Sequence, residues 1–113
     1  MKIIKILTPK KLLLNGIIFG PEKPTNIYIF VHGLAGNIFG HLELYENLVN
    51  KDSAVLSFNN RGSGIVSGFK KLKTKGKKGY EYLTAGMAQE KFTDSYDDIE
   101  GAVQEARKTG AKN

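Results

Sequence analysis

The sequence contains no cysteine, which removes disulfides and thiolate metal sites from consideration. It has no long apolar run either. Lys5, Lys10, Lys11 and Glu22 interrupt the N-terminal region well short of the roughly 18–20 apolar residues that a membrane span requires. The same charges leave no room for a secretory signal, so the expected location is the cytoplasm, with no membrane partner. What is present is an ordinary globular composition over 113 residues, 41% apolar and 25% charged, the length of one domain. The apolar residues fall in short clusters, as in a chain that folds.

The formal net charge of +6 is concentrated in one place. Between Arg61 and Tyr82 seven basic residues stand against Glu81 alone, and that stretch accounts for the whole excess. A uniformly basic surface would point to nucleic acid, whereas a single charged stretch reads as a solvated segment. The alternative is a small stand-alone module that holds RNA or an acidic protein through the lysines, with Tyr80 and Tyr82 available for stacking.

Lys2–Leu7 and Leu12–Phe19, separated at Thr8-Pro9, read as an antiparallel hairpin. The continuous apolar run Ile27–Val31 reads as a central strand buried on both faces. It enters the glycine-rich turn His32-Gly33-Leu34-Ala35-Gly36-Asn37, after which Leu42, Leu44, Tyr45, Leu48 and Val49 fall near helical spacing. Ala54–Phe58 is a second buried strand, ended by Asn59-Asn60-Arg61-Gly62. A strand, helix and strand in this order predict a right-handed parallel crossover and an α/β class. Residues 62–86, with six glycines and the lysine run, show no period and read as one long loop inside the domain. From Thr93 a helix is expected, with Tyr96, Ile99, Val103 and Ala106 on one face. Asp94, Asp97 and Asp98 in its first turns and Arg107 and Lys108 near its end complement the helix dipole.

The pair of turns, HGLAGN after one buried strand and NNRGSG after the next, resembles the α/β-hydrolase superfamily, and with the hairpin the resemblance covers nearly the whole chain. It implies a three-layer α/β fold, an N-terminal antiparallel hairpin followed by parallel strands with crossover helices. It also implies an oxyanion hole at the first turn: Leu34 would supply a backbone amide, Gly33 the tight path, and His32 would support the loop by hydrogen bonding. Asn60, Arg61 and Gly62 would form a structural turn.

The superfamily's nucleophile elbow, G-x-S-x-G, is absent. None of Ser53, Ser57, Ser63, Ser67 and Ser95 has glycine at both −2 and +2, and His32 and His41 precede any position the nucleophile could take. The triad is therefore missing from these residues. The expectation is a single incomplete domain over residues 1–113, the N-terminal portion of a serine-type hydrolase of carboxylic esters or related acyl substrates, inactive alone. One edge of its central strand would be unpaired, open to self-association or to a complementary C-terminal half. No cofactor or metal is expected. Gly62-x-Gly64 lacks the third glycine and the helix of a dinucleotide fingerprint, the lysine run lacks a phosphate-loop frame, and His41 has no second ligand at metal spacing.

Overall fold

The computed structural model describes residues 1–32, 37, 40–60, 68–72, 79–84 and 94–113. Along the chain these form β1 (Lys2–Leu7), β2 (Leu13–Phe19), β3 (Asn26–Val31), α1 (Leu42–Leu48), β4 (Ser53–Phe58), β5 (Gly68–Leu72), β6 (Tyr80–Thr84) and α2 (Asp94–Arg107). β1 and β2 pair antiparallel, with Ile4 opposite Gly16 and Ile6 opposite Leu14. Their turn is tied by the Lys11 amide on the Thr8 carbonyl at 2.8 Å and the Leu12 amide on Thr8 Oγ1 at 3.1 Å.

The four strands lie in the order β1-β2-β4-β3, with β2 antiparallel and β3 parallel to β4. This corrects the expected hydrolase-like layout of parallel strands with crossover helices. The sheet is small and mixed, two of its three pairings are antiparallel, and α1 lies in the connection between its one parallel pair. The physical reason is that β2 takes the position beside β4 where a further parallel strand would pair. β3 stands last in this order, with β4 as its one strand neighbour, and the expectation that it is buried on both faces is corrected: it is half-exposed along much of its length. The central strand is β4, all six of whose residues are buried.

Strand alternation divides the core in two. Ala54, Leu56 and Phe58 share a face with Ile4, Ile6 and Leu14, and α2 covers that face with Ala102 and Ala106. On the opposite face Val55, Ser57, Ile17 and Phe19 meet α1, whose Tyr45 is its one fully buried side chain. Each Val, Leu, Ile or Phe side chain buried completely in this way contributes about 1.5–3 kcal/mol relative to exposure. Tyr96, expected on the apolar face of α2, is exposed instead. The helix packs through small residues, and this close approach leaves a bulky aromatic outside.

Part of the segment read as a loop is ordered as strand. Gly68–Leu72 pairs antiparallel with Tyr80–Thr84, Lys70 opposite Tyr82 and Lys71 opposite Glu81. The Leu72 amide donates to the Lys11 carbonyl at 3.0 Å, which ties this ribbon to the main hairpin. β-favouring Phe69, Tyr80, Tyr82 and Thr84 are interleaved with lysine and glycine, which hid the strand pattern.

Gly101 sets how closely α2 approaches β1. A Cβ there would lie 3.0 Å from Thr8 Cα, 3.1 Å from Ile6 Cγ2 and 3.3 Å from the Leu7 carbonyl oxygen. Gly101→Val is expected to push the helix off the strand and to cost about 1–3 kcal/mol, the usual range for overpacking. The check is a lower urea midpoint with an unchanged denaturant slope.

Candidate functional site

β3 and β4 run parallel and end side by side, at His32 and at Asn59-Asn60. In open sheets the carboxyl ends of parallel strands are where ligand sites are built, because the loops leaving them diverge. Here the ends are joined. The Asn60 backbone amide donates to His32 Nε2 at 3.1 Å, and Asn60 Nδ2 donates to the His32 carbonyl at 3.2 Å. Both residues are buried. Because Nε2 accepts, the imidazole carries no proton on that atom in this arrangement. The Asn59 amide donates to the Asn15 carbonyl at 2.9 Å, which anchors the same turn to β2 on the other side.

Of the residues expected at this site, the structure therefore brings together His32 and Asn60. Gly33, Leu34, Arg61 and Gly62 lie outside the described residues.

Behind the strand ends is a polar and aromatic layer. Tyr45 Oη and Ser57 Oγ are 2.8 Å apart in the buried interface of α1 with β4. Phe30 packs on Tyr45 edge-on, with ring centroids 5.2 Å apart, and against the His41 ring at 4.9 Å. His41 occupies the N-cap position of α1 without a side-chain cap bond and is exposed. Burial pushes the Tyr45 hydroxyl pKa above its ordinary value, opposed by the bond to Ser57, which lowers it. An apolar pocket of about 480 Å³ lies along α1, lined by Phe19, Leu42, Tyr45 and Val49.

Two contacts were not visible in the sequence. Tyr45 and Ser57 are separated by twelve residues and lie on different elements, so no motif links them. Asp97, read as helix-terminal charge, also accepts the Lys10 amide at 2.9 Å through Oδ1, pinning α2 to the β1–β2 turn across 87 positions. A helix-start aspartate carries no local signal for such a partner. Among the described residues no group of three or more His, Cys, Asp or Glu side chains is placed to hold a metal, and no helix is long and apolar enough to cross a membrane. No protein-family model matches the chain, and no curated protein or solved structure matches it.

Two outcomes are expected. His32→Ala leaves the buried Asn60 amide without its imidazole acceptor and is expected to cost about 1–3 kcal/mol. Asn60→Ala removes a different bond, Nδ2 to the His32 carbonyl, so in a double-mutant cycle followed by denaturant unfolding the two losses should add to within about 0.5 kcal/mol. For Tyr45, whose folded-state pKa is raised, the folded state retains the proton after the unfolded state has released it. Stability is thus full below about pH 10 and falls as pH rises past that value. Unfolding midpoints followed from pH 8 to pH 11 (roughly spanning the tyrosine range) should fall more steeply for the native chain than for Tyr45→Phe.

Proposed function

We propose that the chain is a non-catalytic part of a serine-type hydrolase of carboxylic esters or related acyl substrates. It would contribute the oxyanion-loop side of the site, with nucleophile, acid and base carried by other polypeptide. The observation that supports this reading is the His32–Asn60 pair of bonds. His32 and Asn60, the first and second residues of the HGLAGN and NNRGSG segments, follow two neighbouring parallel strands, and the first braces the second. An oxyanion donor is useful only if its amide is fixed before charge develops, since preorganisation is what makes such a donor worth about 10²–10³-fold in an intact site. A buried imidazole that accepts from the neighbouring turn provides that kind of fixed base for the Gly33-Leu34 backbone to start from.

Without an activated serine there is no acyl-enzyme and no tetrahedral intermediate for an amide at Leu34 to stabilise. Ser57, the serine beside Tyr45, is fully buried in a sheet face and hydrogen-bonded there, which is a structural position.

The purified chain is expected to hydrolyse p-nitrophenyl acetate no faster than buffer, and turnover that survives repurification would contradict the assignment of inactivity. An in-frame or nearly in-frame G-x-S-x-G encoded on the 3′ side of codon 113 is the positive result. Its absence, together with retention on RNA that falls steeply with salt, would replace this reading with a lysine-based binding module.

A further inference from the structure

The cavity beside α1 has one wall drawn from a single face of that helix. Leu42, Tyr45, Glu46 and Val49 recur at i, i+3, i+4 and i+7, the spacing that lines one helix face. Phe19 and Gly20, at the end of β2, supply the wall opposite. The volume of about 480 Å³ falls within the roughly 300–1,000 Å³ of small-molecule sites. It is a concave space between two elements, of a size for a small molecule rather than for a protein surface.

Its lining is apolar with one exception. The Phe19 and Tyr45 rings meet at 5.9 Å with a tilt of 39°. The hydroxyl that Tyr45 carries is already committed, 2.8 Å from Ser57 Oγ, so the cavity meets the ring and not a free donor. Glu46 is the exception. It occupies a place in the inward stripe of α1 where an apolar residue is the usual choice, it is exposed, and it makes no hydrogen bond or ion pair among the described residues. Met1 also lines the space and is not ion-paired with it. α1 carries Glu43 and Glu46 and no basic residue, so nothing on the helix offsets this charge. The cavity is apolar within and negative at its mouth.

We propose that the cavity is a binding site for a small amphiphilic amine, with its apolar body against Phe19, Leu42 and Val49 and its ammonium group at Glu46. The charge selects this class. An anion would meet two uncompensated carboxylates on α1, and a neutral apolar molecule would leave Glu46 without a partner. A second copy of the chain is a poorer occupant, because a two-fold contact through α1 would set the glutamates of one helix against those of the other. Burial of the apolar body supplies the affinity. The carboxylate, being exposed, supplies only a modest preference for the cation, about two- to fivefold, as befits an ion pair in contact with water.

A matched pair of probes tests the site: 2-phenylethylamine, a cation at neutral pH, and 2-phenylethanol, its neutral counterpart of nearly the same shape. Each is titrated into the purified chain at low ionic strength, with amide NMR shifts followed at Phe19, Leu42 and Val49. Both probes should give saturable shifts at these positions, with the amine binding about two- to fivefold more tightly. Salt at about 1 M should erase the difference. Glu46→Gln, at an exposed position, should equalise the two affinities while leaving that for the alcohol unchanged, and Glu43→Gln, outside the lining, should keep the preference. The proposal is overturned if neither probe shifts these residues saturably, or if the two bind equally to the native chain. It is equally overturned if the preference survives in Glu46→Gln or is lost to the same extent in Glu43→Gln, since the carboxylate at the mouth is then not the recognising group. Shifts at the same residues that grow with chain concentration in the absence of probe would identify a second copy as the occupant and overturn the ligand assignment.

Discussion

The four-stranded sheet and the two helices packed on it are positioned by the complete burial of β4. Its six residues accept β2 on one side and β3 on the other, and its two faces organise two separate packing layers, α2 with the β1–β2 hairpin and α1 with the aromatic cluster. A strand buried on both faces and hydrogen-bonded along both edges leaves no polar backbone group to water, so its register is strongly held. The ends of its neighbours inherit that fixity. His32 meets Asn60 because β3 and β4 are locked rung by rung from Asn26 opposite Ser53 to Val31 opposite Phe58.

Much of the local structure was legible in the sequence. The hairpin, the strand near Ala54–Phe58, the helix after the glycine-rich turn and the final helix all follow from the spacing of apolar residues. The arrangement was less so. Ile27–Val31 and Ala54–Phe58 look equivalent as apolar runs, yet one stands last in the sheet order and the other is central, because position in a sheet depends on which strands pair and not on the run itself. The same limit applies to Tyr96 and Tyr45. Both fall at helical spacing, but Tyr96 lies on a helix drawn in tightly by Gly101, Ala102 and Ala106, while Tyr45 lies on a short helix with room beneath it for an aromatic ring.

At the candidate site, the HG and NNRG motifs pointed to the two strand ends, and the fold brings His32 and Asn60 into contact there. The contact is between a side-chain nitrogen and a backbone amide, and a backbone amide has no signature in residue identity. Asp97 illustrates the converse. Its place at a helix start was visible, but its bond to the Lys10 amide depends on a three-dimensional approach between the two ends of the chain.

That approach also constrains the order of assembly. The β1–β2 hairpin is local and can form as soon as its own residues are available, but the α2-facing side chains Ile4, Ile6 and Leu14 are covered by Ala102 and Ala106, nearly the whole chain later. Contacts of such sequence separation form late, after the loop-closure entropy of the intervening chain has been lost. During synthesis the first strands therefore emerge with an apolar face that stays wet until the final helix has left the ribosome. The nascent chain is thus most exposed to aggregation and to chaperone capture in the interval between completing β4 and completing α2.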